Sequence, residues 1–309
     1  MFLLKNLKNG VKMKGFIVKN AYFKSDSVDY QVNRIKEELE LLGAKIDVVR
    51  NAYGVYLSED CEVVSNYKGY DFCIFLDKDK YLGEMLKKQG LKVFNDYRAI
   101  EDCDDKMKTY LRLSGSKIKI PKTISAPLCF TEGAKLSSES ADEIIKILGL
   151  PLVLKKSFSS LGKGVYLIKD KNELINTVNE NPFEPKIYQE FISSSYGKDV
   201  RIICIGKKYF SAMLRYSDSD FRSNSALGGN AKPYAPSKEF IEVSEEIARI
   251  LDLDYMGVDL MIGSSGEPIL CEVNSNAFFT TMEKVCGVNV AKAYAMHVVN
   301  TVKGESYDY

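Results

Sequence analysis

The chain has 309 residues, with 43 Lys and Arg against 42 Asp and Glu, a single His, seven Cys and no Trp. A formal net charge of +1 gives no global electrostatic basis for binding nucleic acid or an anionic membrane, and one histidine excludes multi-His metal centres. No CxxC spacing supports a zinc site, no apolar run approaches the roughly 18 residues that span a bilayer, and the short apolar start before Lys5 is no signal-peptide core, so the composition reads as a cytoplasmic protein with reduced thiols.

GFIVKN (15–20) reads as a strand, and a helix follows from Asp29 with Val32, Ile35, Leu39 and Leu42 on one face and Gly43 as its stop. AKIDVV (44–49) returns to strand, and the order repeats as DFCIFL (71–76), a helix over 81–89 and LKVFN (91–95). Nearly continuous apolar strands alternating with helices imply a parallel sheet covered on both faces. No GxGxxG follows either strand, so a dinucleotide-binding Rossmann site has no support.

A helix is expected over 101–114, followed by the extended stretch KIPKTISAP. Ser140 with Glu143 reads as a capping box that opens the helix DEIIKILG. Strands joined by turns come next: PLVLKKSF, GVYLIK, KIYQEFI, DVRIICIG and KKYFSAMLR. A helix after Ser237 runs to about Leu251. The strands YMGVDLMI and ILCEVN and a closing helix over 288–302, with His297 as a packed residue, complete the chain. The fold class is α/β at the start and α+β with an antiparallel sheet thereafter.

The chemistry concentrates in three places. The last two strands flank GSSGEP, and symmetric pairing about that loop sets Asp259 opposite Glu272 with Asn274 on the same face. Facing carboxylates repel unless compensated; a hard divalent cation is the simplest compensator, whereas a bulge in the pairing would turn both acids to water. With oxygen donors, magnesium or manganese suits best, and magnesium commonly arrives with a nucleotide phosphate. Glu283 reads as a solvated helix residue.

Lys155 ends an apolar strand and is followed by Ser159, Ser160, Leu161, Gly162, Lys163 and Gly164, then by another strand. A P-loop opens a helix, so this is instead a strand–glycine loop–strand flap whose amides can cradle phosphate oxygens, or else a plain hairpin turn with exposed lysines. Further on, Asp199 and Arg201 alternate onto one strand face, and Arg215, Arg222 and Asn224 precede Gly228 and Gly229. Such arginines fit an anion site or surface salt bridges.

In this order, NDYRAIEDCDDKMKT, PLVLKKSFSSLGKGV, QEFISSSYGKDVRIICIG, FRSNSALGGNA and GVDLMI…EVNSN resemble the RimK-type ATP-grasp ligases over roughly residues 15–280. The resemblance implies an ATP-grasp fold: an N-terminal pre-ATP-grasp α/β domain (1–96), a central lid subdomain (97–187) and a C-terminal antiparallel-sheet subdomain (188–309). It puts Lys106 and Lys155 on the ATP phosphates, with Ser159, Ser160, Gly162 and Gly164 in the loop that closes over them. Gln189, Glu190, Phe191 and Ile192 would form the adenine hinge, and Asp199 would bind ribose. Arg201, Arg215, Arg222, Ser223 and Asn224 would hold the transferring phosphoryl group and the carboxylate, with Arg201, Arg215 and Lys155 as the catalytic groups. Asp259, Glu272 and Asn274 would hold two magnesium (or manganese) ions. Leu161 departs from the polar residue common before the first glycine.

The implied activity is carboxylate–amine ligation through an acyl phosphate, releasing ADP and phosphate, with a carboxylate substrate and an amino acid, peptide or protein tail as amine partner. A kinase on the same scaffold and a non-catalytic nucleotide-binding protein are the competing readings. Self-association as a dimer or tetramer follows from the resemblance alone.

Overall fold

The computed structural model describes residues 13–51, 54–160, 162–223 and 229–305. Leu161, Asn224 and Gly228 lie outside these residues. The chain forms two compact units: one takes residues through Ile100 with the segments Phe278–Glu283 and from Val288 onward, and the other takes Glu101–Ala277 with Lys284–Gly287.

In the first unit, β1 (Lys14–Lys19), α1 (Asp26–Leu41), β2 (Lys45–Arg50), the hairpin β3 (Val55–Leu57) and β4 (Val63–Ser65), β5 (Phe72–Leu76), α2 (Lys80–Lys88) and β6 (Lys92–Phe94) follow in order. The four long strands pair in parallel as β2-β1-β5-β6. β5 is buried along its whole length and Phe16, Ile17 and Val18 of β1 are fully covered, as a two-sided parallel sheet requires. α1 starts three residues before the expected Asp29, because the Ser25 side chain accepts from the Ser27 N–H and caps the helix.

The single helix expected over 101–114 is two: α3 (Tyr97–Asp104) and α4 (Lys106–Arg112). Asp105 breaks the run by taking the extended conformation and accepting from the Met107 and Lys108 N–H groups, which restarts the helix with Lys106 at its first position. In the second unit, β7 (Thr123–Ser125), α5 (Ser138–Leu148), β8 (Leu152–Lys156), β9 (Val165–Ile168), α6 (Lys171–Glu180) and β10 (Lys186–Glu190) build an antiparallel sheet ordered β7-β10-β8-β9. Ser137, not Ser140, caps α5; its hydroxyl accepts from the Ser140 N–H. The turn expected before β10 is the helix α6, capped by Asp170 accepting from the Glu173 N–H.

After a single 3₁₀ turn (Ser193–Ser195), β11 (Lys198–Ile205), β12 (Lys208–Tyr216), β13 (Asn230–Pro233), α7 (Lys238–Ile250), β14 (Tyr255–Ile262) and β15 (Pro268–Asn274) form a second antiparallel sheet, ordered β13-β12-β11-β14-β15. Its strand centres are apolar and buried, from Ile202 and Ile203 to Val258, Leu260 and Leu270. Two helices close the chain, α8 (Thr280–Cys286) and α9 (Val290–Lys303). α9 packs on α1 within the first unit, and His297 meets the Phe94 ring edge-on there. Glu283 is not a solvated residue: it is half-buried, accepting 2.6 Å from the Tyr30 hydroxyl and 3.1 Å from the Ala291 N–H.

Candidate active site

The second unit contains a cleft with about 810 Å³ of empty space, open solvent included, walled by the glycine loop, β8, β10, β11, the segment after β12, β14 and β15. Gln189, Glu190, Phe191 and Ile192 form part of its wall. Gln189 is fixed by a relay: the Thr123 hydroxyl gives its proton to the Pro121 carbonyl (2.7 Å), so its oxygen can only accept, and Gln189 must offer Nε2 to it (2.8 Å). That leaves Gln189 Oε1 as a buried acceptor without a hydrogen-bond partner among the described residues. Glu190 is tied to the neighbouring strand, its N–H donating to the Lys122 carbonyl and its carboxylate accepting from the Lys122 N–H. The Phe191 ring packs edge-on against Tyr196 and Phe221.

Two buried lysines also line the cleft, and both stand near Glu272. Lys106 Nζ donates to the Ser159 carbonyl (2.8 Å) and hydroxyl (3.2 Å), and lies 3.9 Å from Glu272. Lys155 Nζ lies 3.7 Å from the Cys271 sulfur. Burial alone would discharge Lys155, but Cys271, Tyr110 and Glu272 favour its charged form and the net direction is upward. The glycine loop, with Ser159, Ser160 and Gly162 on the cleft wall, closes the β8–β9 hairpin. Gly164 has φ +69°, and a Cβ there would meet the Lys156 side chain at 2.6 Å, so the turn accepts only glycine at that point.

Charged residues face one another across the second sheet. Arg215 faces Asp199 between β12 and β11, Arg201 faces Asp259 between β11 and β14, and Asp259 faces Glu272 between β14 and β15. Arg215 grips Asp199 through paired bonds of 2.7 and 2.5 Å and reaches Asp259 at 2.9 Å. Arg201 Nε and Nη2 hold both oxygens of Asp259. Burial pushes the Asp259 carboxyl up, yet the two guanidinium groups prevail and hold it below the ordinary carboxylate range.

The expected facing of Asp259 and Glu272 is present, but by another route. Next to the turn the register is one residue off symmetric, pairing Ile262 with Pro268 and Leu260 with Leu270, and a bulge at Cys271 restores Asp259 to Glu272. The compensation also differs from the one inferred for bare acids: arginines already balance Asp259, and Lys106 stands near Glu272. Asn274 pairs with Gly257, one step along the same face.

Of the expected site residues, Asp199, Arg222, Ser223 and Glu272 also reach the cleft wall, whereas Gly164, Arg201, Arg215, Asp259 and Asn274 do not line it. Arg222 is occupied by Asp220 and by carbonyls of the glycine loop.

Among the described residues no three Asp, Glu, Cys or His side chains gather as a metal site. Asp259, Glu272 and Asn274 nonetheless make a set of hard oxygen donors suited to magnesium. The guanidinium bonds use three of the roughly four lone-pair positions of Asp259, so one position suits a cation.

Cys271 and Tyr110, whose hydroxyl donates 2.8 Å to the Cys271 carbonyl, were not singled out from sequence, nor was Thr123. Cys271 sits beside Glu272 in the chain, which was a signal in plain view; the bulge that brings it to the cleft was not.

Two antiparallel sheets around a cleft with paired lysines, a glycine hairpin loop and a hinge strand define a nucleotide-binding clasp of the ATP-grasp type. The sequence matches the RimK-like ATP-grasp domain over residues 103–298, and the chain belongs to that family. It is 31% identical over 217 residues to β-citrylglutamate synthase B of Homo sapiens, covering 70% of this chain and 55% of that one. It is also 31% identical to a probable α-L-glutamate ligase of Xanthomonas euvesicatoria pv. vesicatoria (strain 85-10), covering 71% and 72%. The chain spans about half the length of the β-citrylglutamate synthases it matches. In fold it is similar to the ATP-grasp ligase PsnB complexed with a phosphomimetic variant of its minimal precursor, Mg and ADP, with TM-score 0.70, 16% identity and coverage of 95% of this chain and all of that one.

Proposed function

We propose that this chain is an ATP-dependent carboxylate–amine ligase that forms an amide through an acyl phosphate and releases ADP and phosphate. The observation that carries the reading is that Lys106, Lys155, the glycine loop and the Gln189–Ile192 segment together wall one cleft. The names of the relatives, a citrylglutamate synthase and a glutamate ligase, make glutamate the favoured amine.

In this reading the base of ATP lies along the hinge, where Gln189 Oε1 accepts from its exocyclic amine. Lys106 and Lys155 take the phosphates. Asp259, Glu272 and Asn274 would hold magnesium, which when bound neutralises the triphosphate and orders its terminal phosphate. A substrate carboxylate oxygen attacks the γ-phosphorus and ADP leaves; the amine then attacks the acyl carbon, phosphate departs and the amine loses its proton. Lys155 stabilises negative charge on the phosphoryl oxygens, a well-placed donor being worth about 3–4 kcal/mol by analogy with other oxyanion donors, while Arg201 and Arg215 hold Asp259 and Asp199 in place. Asp199 stands on the wall where a ribose hydroxyl could reach it while it holds Arg215.

Incubation with ATP, magnesium and a panel of carboxylates and amino acids, following ADP and product mass, tests the proposal. An amide with stoichiometric free phosphate supports it; a stable phosphoester would instead make the chain a kinase. Sedimentation would show whether it self-associates like the dimers and tetramers of its family.

A further inference from the structure

We propose that Arg222 is a positioning residue that fastens the Gly162–Val165 segment of the glycine loop over the cleft, and is not a direct ligand of the phosphates. The fastening is read from contacts alone; its consequence for catalysis rests on the nucleotide reading above. One edge of the guanidinium is held by Asp220, with Nε to Oδ1 at 3.0 Å and Nη2 to Oδ2 at 2.8 Å. Nη1 is thereby aimed at the loop, where it donates to the Gly162 carbonyl at 3.0 Å and the Val165 carbonyl at 3.3 Å. Four donor contacts to protein acceptors use most of what a guanidinium has to give.

The base of this fastening is firm. Asp220 also accepts from the Arg222 N–H at 2.8 Å, and the Asp220 N–H donates to the Ser217 hydroxyl at 3.2 Å. The Gly197 N–H donates to the Phe221 carbonyl at 3.0 Å, and the Gly197 carbonyl accepts from Ser217 N–H at 2.7 Å. Gly197 has φ +63°, and a Cβ there would lie 2.5 Å from the Ser217 carbonyl oxygen and 2.9 Å from that of Asp220. The segment is thus seated where no side chain fits, the Arg222 guanidinium lies over the Phe221 ring at 5.4 Å, and Arg222 projects from it toward the loop. A lysine could not hold Asp220 and two carbonyls together, because an ammonium lacks the planar fork. A loop fastened this way slows departure of a bound nucleotide and keeps water from an acyl phosphate, whose hydrolysis would return the acid and phosphate without an amide.

The test uses the full chain with Arg222→Met, Arg222→Lys and Asp220→Asn. Lys163 is exposed within the loop, so trypsin cleavage after it reports loop opening, and cleavage after the exposed Lys238 serves as internal control. We expect cleavage after Lys163 to accelerate about tenfold in all three variants with Lys238 unchanged, as removal of charge-assisted bonds shifts a local opening equilibrium. A fluorescent ATP analogue should leave about tenfold faster with its association rate unaltered, a split that general loosening would not give. Equal Lys163 rates in wild type and Arg222→Met would overturn the proposal. The proteolysis needs no nucleotide, so a wild type that binds no ATP analogue overturns the nucleotide reading while the Lys163 rate still decides the fastening.

Discussion

Arg201 and Asp259 stand directly opposite each other on β11 and β14, and the guanidinium takes both carboxylate oxygens within a nearly dry sheet face. Removing Arg201 leaves the buried Asp259 with Arg215 alone, which is shared with Asp199, against a cost of about 3–5 kcal/mol for a buried charge left with no partner at all. Arg201→Met should destabilise the protein by part of that amount, about 2–3 kcal/mol, in chemical denaturation. The double variant Arg201→Met with Asp259→Leu should lose less than Arg201→Met alone; a larger, additive loss would refute a charge-pair origin.

Glu272 reaches the cleft wall while its partner Asp259 is buried, so Glu272 is the more accessible carboxylate for a cation. Glu272→Gln keeps the shape and removes the charge. Turnover should fall by at least about 100-fold and manganese affinity, read by electron paramagnetic resonance, should fall with it. Intact manganese binding in this variant would remove Glu272 from the metal set.

The Thr123 relay makes Gln189 Oε1 a fixed acceptor, which suits a base bearing an amine and opposes one bearing a carbonyl. Wild type should bind ATP well above ITP. Gln189→Leu should weaken ATP by about tenfold, leave ITP nearly unchanged and so compress the preference, measured by calorimetric titration. An unchanged ratio would mean the base lies elsewhere.

Asp77, at the carboxyl end of β5, is buried, and burial pushes its carboxyl above the ordinary range although the Asp79 and Lys78 N–H groups and the Asn20 side chain pull the other way. A folded pKa above the unfolded one means the folded state holds its proton longer, so stability falls as pH rises from the unfolded value through the folded one. Asp77→Asn removes that loss. Its Tm should exceed wild type at about pH 8 and the advantage should vanish by about pH 3, below both values. A constant advantage across that range would point to a cause other than titration.

The parallel sheet was legible because a strand buried on both faces, such as FCIFL, is apolar without interruption, and the intervening helix α1 keeps Val32, Ile35 and Leu39 on one side. The charged row was legible in part: Asp199 and Arg201 alternate visibly, but their partners Arg215 and Asp259 lie on other strands, and only the folded register shows that each acid meets an arginine. α6 was passed over although Asp170 and Glu173 mark its start and Leu174 and Val178 its buried stripe. The break at Asp105 was missed because its neighbours on both sides favour helix, and the cap that divides them is one side chain wide. Asp220 could not be linked to Arg222 as a bracket for the glycine loop, since that role depends on carbonyls nearly sixty positions away.

A pleated strand ordinarily turns alternate side chains to opposite sides, so one wall receives every second residue. On β15 the surplus residue Cys271 suspends that alternation, and a thiol and a carboxylate that are sequence neighbours both serve the same wall. A sulfur and a carboxylate are thereby delivered side by side, a pairing that an unbroken ladder could supply only by recruiting another strand.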